Sequence, residues 1–253
     1  MENHTTPKST FEVFEEETKM NKLYFKIRKQ LKKIKIILFL YILFCKLIDK
    51  YKTTKFVRNR SKNLQANGND VLYKTCDIFN ELGIKYFVAW GTLLGIVREQ
   101  RLIKHDVDID LGILDNVADV SARIRSEMEA KSFRKVRTFF YNDKIVAETY
   151  ELNNVHVGFF YYEQEGNSDY FCYSFWDRVE NSDEYHAYKH EQKINGFQKI
   201  IFNGQEICIP QEPEDLLSQL YGADWRIPNK NWEMSMSPTY KRAELNGTIV
   251  RHT

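Results

Sequence analysis

Trp90-Gly91-Thr92-Leu93-Leu94-Gly95-Ile96-Val97-Arg98 is followed, after a short gap, by His105-Asp106-Val107-Asp108-Ile109-Asp110-Leu111-Gly112. Three aspartates alternate with apolar residues. A strand has a side-chain period of two, so the pattern predicts Asp106, Asp108 and Asp110 on one face and Val107, Ile109 and Leu111 in a core. Three carboxylates on one face repel each other unless a cation lies between them. Oxygen ligands without His or Cys suit Mg²⁺, Mn²⁺ or Ca²⁺. Upstream, Tyr86-Phe87-Val88-Ala89 reads as a buried strand, and Gly91-Thr92 turns the chain into a short helix through Arg98. Such a turn aims backbone N–H groups and the positive helix end at what lies ahead, which suits phosphate. Gly91 permits close approach and Thr92 offers a hydroxyl. Arg98 is either a phosphate partner or a solvated residue at the helix end. Together these are the parts of metal-assisted phosphoryl transfer. An EF-hand loop is excluded: it needs Gly at its sixth position and Glu at its twelfth, where this chain has Leu111 and Val117.

Working outward, residues 72–82 carry apolar side chains at helical spacing and stop at Gly83, and 120–128 mark another helix capped by Asp115 or Asn116. Strands are expected over 134–141, 144–152 and 155–162, separated by Asn142-Asp143 and Asn153-Asn154. Asn203-Gly204 sits between apolar runs at 198–202 and 205–209, a strong hairpin signal. Pro213 opens a helix that ends at Gly222. Residues 163–195 are polar and aromatic and give no assignment. The expected class is α/β (α+β), a small mixed sheet flanked by helices. Its 253 residues, 43% hydrophobic, suffice for one sizeable domain with an extension. Four widely spaced cysteines point to free thiols in a reducing compartment.

The overall net charge of +2 conceals an asymmetry. Residues 22–62 hold fourteen lysines and arginines against Asp49 alone, a net of +13, which leaves −11 for the rest. The expected organisation is a disordered tail over 1–19, a basic amphipathic helical segment over 20–65, and the catalytic-type domain over 66–253. The apolar stretch from Ile36 to Cys45 is about half the roughly 20 residues of a membrane span. It is read as a helix lying at a membrane surface through residues 22–60, or as a helix packed on the body with solvated lysines; a single N-terminal anchor is the third option. Nucleic acid is not expected as a partner, because Phe39 to Leu43 form an apolar block rather than a stacking groove.

Residues Trp90 to Leu111 resemble the LicD/fukutin family of the nucleotidyltransferase superfamily. The family pattern is a Gly-Thr-Leu-Leu-Gly-x-x-Arg turn and helix followed by an Asp-x-Asp-x-Asp strand. Far downstream, Ile209-Pro210, Pro213 and Leu217-x-x-Leu220-Tyr221-Gly222-Ala223-Asp224-Trp225-x-x-Pro228 are similar to the family's C-terminal segment. The resemblance implies a nucleotidyltransferase-like fold and transfer of a phospho-alcohol from a CDP-linked donor to a glycan or glycolipid acceptor. Phosphocholine, ribitol phosphate and glycerol phosphate are the family's kinds of cargo, placed on cell-surface polysaccharide, lipopolysaccharide or glycoprotein glycans.

By the same resemblance Asp108 and Asp110 match the metal pair, with Mg²⁺ or Mn²⁺ expected, and Asp106 the additional family aspartate; Asp106 is also the candidate base for the acceptor hydroxyl. Gly91 and Thr92 match the phosphate turn. His105 stands where relatives often have Trp. Relatives carry a third carboxylate on a later strand, and here Gly158 of Val155-His156-Val157-Gly158 occupies that position. His156, Glu148 or Glu151 substitutes for it, or Asp106 completes the site, or a metal or base is lost. Two other functions remain open: a true nucleotidyltransferase acting on a small molecule or sugar phosphate, and a non-catalytic membrane-associated relative. The expected location is the cytoplasmic face of a membrane, held peripherally.

Overall fold

The computed structural model describes residues 10–229 and 231–252. The chain divides into two compact units, Met1–Phe56 and Val57–Thr253. Helix α1 runs over Thr10–Leu82. The tail expected over 1–19 lies outside the described residues as far as residue 9, and from Thr10 the backbone is helical. In the first unit Leu38, Phe39, Tyr41, Phe44, Leu47 and Tyr51 are exposed. Among the described residues no helix is long and apolar enough to cross a membrane.

In the second unit Gly83 (φ 68°) ends α1 as anticipated, with Ile84 N–H donating to Phe79 O at 2.8 Å. Then follow β1 (Tyr86–Val88), α2 (Trp90–Glu99), β2 (Asp108–Ile113) and α3 (Val117–Ala130), whose cap Asn116 accepts from Ala118 N–H at 2.9 Å. Next come β3 (Arg134–Tyr141), β4 (Lys144–Leu152) and β5 (Val155–Tyr161). Their two hairpins turn on Asn142-Asp143 and Asn153-Asn154, all four with φ between 49° and 60°, the left-handed pairs that two-residue hairpins require. The stretch 163–195, unassigned from sequence, forms β6 (Glu163–Glu165), β7 (Asp169–Arg178) and β8 (Glu184–Lys193). Asn203-Gly204 joins β9 (Phe197–Phe202) to β10 (Gln205–Pro210). Helix α4 (Pro213–Tyr221) precedes the long β11 (Tyr240–Arg251).

The main sheet has the order β1-β2-β5-β4-β3-β11-β8-β7-β6. Nine strands make it larger than the small sheet expected. It is mixed through a single parallel pair, β2 with β5; every other pairing is antiparallel. One face is the core: Ile109, Leu111, Val157, Phe159 and Tyr150 join Leu72, Cys76 and Phe79 of α1 and Val120, Ile124 and Met128 of α3 in one buried cluster. Phe79 and Phe159 rings lie 5.0 Å apart. The period of two then commits Asp108 and Asp110 to the opposite face. Cys76, Cys172 and Cys208 are free thiols; the side chain of Cys45 lies outside the described residues.

Candidate active site

Register fixes what shares the open face. Asp108 of β2 pairs with His156 of β5 and Asp110 with Gly158. Across β5, Glu151 stands opposite His156 and Thr149 opposite Gly158. One strand further, Arg137 of β3 faces Thr149, and beyond it Arg251 of β11 faces Arg137. The expected three-aspartate strand is shorter than the alternation suggests: β2 begins at Asp108. Asp106 stands just before it, its Oδ1 accepting from Val107 N–H at 2.9 Å and its backbone N–H donating to Ile103 O at 3.1 Å.

Helix α2 is clamped against these carboxylates. Ala89 N–H donates to Asp110 O at 3.0 Å. Trp90, the first helical residue, has φ 48°, a left-handed conformation that a bulky side chain adopts only when its surroundings impose it. Thr92 is 1% exposed, and its hydroxyl oxygen accepts the Asp110 N–H at 3.0 Å. The hydroxyl expected for phosphate therefore first ties the helix to the aspartate strand. A Cβ on Gly91 would stand 2.5 Å from Asp106 Oδ2, so glycine is what lets that carboxylate press against the helix start.

Arg98 fits neither alternative weighed for it: its side chain is nearly buried, not solvated, and it is engaged by protein groups. Its Nη1 donates to Trp225 O at 3.2 Å and its Nη2 pairs with Glu99 at 2.8 Å, joining α2 to the segment after α4. His105 is exposed on the turn before Asp106 and makes no contact with these groups among the described interactions. His156 is half-buried, and its Nε2 lies 2.8 Å from Glu151 Oε2. Arg134 also donates to Glu151, at 3.2 Å. Glu148 is removed as a substitute carboxylate. It pairs with Phe159 in register and lies on the core face, fully buried, where Lys135, Ser121 and Tyr161 (2.7 Å) all bond it.

The electrostatics describe a crowd of like charges. Burial and then Asp108 raise Asp106 to about 7. Burial raises Asp110 well above the usual carboxylate range, with Asp108 and Asp106 adding to it. Asp108 is also raised by burial, opposed by Arg60 and Arg137. Arg60 of α1 donates to Val107 O at 3.1 Å and lies 3.8 Å from Asp108 Oδ2. His156 is pushed down to about 4, by burial and then by Arg60. Tyr221 at the end of α4 is raised by burial and then by the charges of Asp106 and Asp110. Sequence reasoning missed Arg60 and Arg137 as members of this face. It met Tyr221 only as part of the downstream motif.

Among the described residues no three His, Cys, Asp or Glu side chains form a closed metal cage. The donor set nonetheless suits Mg²⁺, which takes one or two carboxylates and completes its shell with water and substrate oxygens. Asp108 and Asp110 are the pair that would hold it, with Asp106 adjacent. Their mutual repulsion is the cost that a cation removes.

A family model described as LicD/FKTN/FKRP, nucleotidyltransferase domain, matches residues 83–212. The chain is 23% identical over 177 residues to Ribitol-5-phosphate transferase FKTN of Homo sapiens, covering 69% of this chain and 36% of that protein. The Mus musculus protein of the same name matches at 23% over 176 residues with the same shares. The chain thus spans about a third of the length of these curated relatives.

Proposed function

The chain belongs to the LicD/FKTN/FKRP nucleotidyltransferase-domain family, and from that premise we propose that it is a metal-dependent transferase moving a phospho-alcohol, of the ribitol-phosphate kind, from a CDP-linked donor to a glycan acceptor. The observation that carries the reading is the carboxylate face: Asp108 and Asp110 on β2, Asp106 against Gly91, and helix α2 clamped beneath them. A bound Mg²⁺ would supply charge neutralisation for the donor diphosphate. Asp108 and Asp110 would hold that charge in place. The start of α2 offers backbone N–H groups and a positive helix end to donor oxygens. Asp106, adjacent to the pair at the start of β2, is the group placed to take a proton from an acceptor hydroxyl. Incubation with a panel of CDP-alcohols and Mg²⁺, followed for CMP, identifies the cargo; silence across the panel would remove the proposal.

A non-catalytic relative is the second reading, favoured by Gly158. No carboxylate stands there, Glu148 faces the core, and Glu151 is held by His156 and Arg134. The same panel decides between them.

The basic segment 22–60 fits a peripheral role at an anionic membrane on the cytoplasmic side, near a lipid-linked acceptor. Its exposed Phe39, Tyr41, Phe44 and Leu47 stand among lysines, each worth about 1 kcal/mol near an anionic surface. Sedimentation with anionic but not neutral vesicles, weakened by salt, is the expected behaviour; equal binding to both contradicts it.

A further inference from the structure

Arg137 is a half-buried guanidinium with nothing to hold it. Its Nε is buried without a hydrogen-bond partner. Among the described residues no carboxylate comes within ion-pair distance of it, and its one marked neighbour contact is the Phe139 ring, 5.7 Å away. The nearest strand partner makes matters worse. Arg251 stands directly opposite on β11, a like-charge pair of the kind that destabilises a sheet. Arg251 is anchored to the Tyr185 hydroxyl at 2.9 Å. Burial, Arg60 and Arg251 all press the Arg137 guanidinium towards losing its charge, and only Asp108 and Tyr185 oppose them. His156, on the same face, also keeps a buried ring nitrogen, Nδ1, without a partner. Only Arg137 Nε is an unsatisfied donor here, since His156 donates through Nε2 to Glu151 and its Nδ1 is an acceptor. A buried guanidinium N–H left without an acceptor beside a second arginine is costly unless an anion completes it.

We infer that Arg137, with Arg251 beside it and Arg60 towards Asp108, forms a subsite for a phosphate ester on the open face of the sheet. The guanidinium fork matches phosphate oxygens, and Nε supplies a further donor. The patch is distinct from the α2 turn. Arg137 lies three strands from β2, roughly 14 Å across the sheet at strand spacing, on the side away from β1. Its phosphate comes either from the donor, whose diphosphate would stretch across the face, or from a phosphorylated acceptor. The inference rests on the proposed phosphotransfer only for the choice of ligand class; the side chains demand an anion in any case.

The test is binding, without turnover. The full chain, ¹⁵N-labelled and held in EDTA, is titrated with sodium phosphate and, at matched ionic strength, with sodium chloride. The Arg137 Nε–H signal is identified by its loss in Arg137→Lys. The expected result is a saturable shift of that signal with phosphate and none with chloride. A thermal melt gives the second readout: phosphate raises the midpoint of the wild type, and Arg137→Gln loses that rise while melting no lower than wild type in chloride. An Nε signal that ignores phosphate, or follows chloride equally, overturns the subsite, whether or not the variants fold. Saturating CDP, added with Mg²⁺ in place of EDTA, assigns the source. If CDP abolishes the phosphate shift, the subsite serves the donor; if phosphate still binds, it serves the acceptor. Absence of CMP release with a phosphate shift intact would remove the transferase reading and leave the subsite standing.

Discussion

Gly158→Ala should cripple the site without damaging the fold. Gly158 lies on β5 directly across from Asp110. A Cβ there would stand 2.9 Å from Asp110 Oδ1, against 3.4 Å or more for ordinary contact. The carboxylate must retreat by about half an ångström. It cannot retreat with its backbone, because Asp110 N–H is bonded to Thr92 and Asp110 O to Ala89. Only its side-chain torsions can give. Metal–oxygen distances tolerate about 0.2 Å, and misplacements approaching 1 Å cost up to about 100-fold in rate. We expect turnover to fall by about 10- to 100-fold, or roughly 1.4–2.7 kcal/mol in barrier, with a weaker apparent Mg²⁺ affinity. The melting temperature should hold, since alanine in a strand recovers about 0.5–1 kcal/mol of backbone entropy. CMP release against Mg²⁺ concentration measures both parameters. Wild-type turnover with an unchanged Mg²⁺ curve would refute the view that Gly158 keeps room for Asp110.

Asp108→Asn should abolish CMP release while the protein stays folded, because it removes one of two charges facing the cation and relieves repulsion in its absence; measurable turnover near wild type would contradict the metal assignment. Arg98→Ala should cost about 1–3 kcal/mol of stability through the lost Trp225 carbonyl bond and leave donor KM within about twofold. A large rise in KM with stability intact would return Arg98 to the phosphates. His190 is fully buried, with Nε2 2.7 Å from Ser174 Oγ and its ring 4.8 Å from Trp90, and burial lowers it to about 4. It stays neutral in the fold, while the unfolded chain protonates it below about 6.5, so its contribution is lost as pH falls from 6.5 towards 4. Urea unfolding of wild type and His190→Gln at pH 7 and 5.5 isolates this term: the variant should lose about 1.2 kcal/mol less over that drop. Equal losses would show that His190 is not a source of acid sensitivity.

Legibility followed the range of the interactions. The α3 cap (to Asp115 or Asn116), the three left-handed hairpin turns and the α4 limits were readable because each is settled within a few residues, whereas the turn into α2 falls at Trp90, one residue before the Gly91-Thr92 expected for it. Parity alone also placed Asp108 with Asp110 against a buried Ile109 and Leu111. It cannot, however, say which of Glu148 and Glu151 faces the aspartates. They stand three apart and so on opposite faces, and only the pairing of β4 with β5 turns Glu148 to the core. Arg60 and Arg137 enter from α1 and from a strand three positions away, joined to the site by tertiary register and nothing local. Strand β11 hid because it is largely exposed on both faces, and β7 and β8 because some of their buried positions are polar, Ser174, His190 and Gln192, which blurs the alternation of polar and apolar residues.

The most direct test of the account is a ³¹P spectrum of the products formed from a CDP-alcohol, a glycan acceptor and Mg²⁺. Transfer of the phospho-alcohol predicts CMP and a new phosphodiester on the acceptor in equal amounts, both lost in Asp110→Asn. Pyrophosphate from CTP in place of CMP, or a spectrum that Asp110→Asn leaves unchanged, would contradict it.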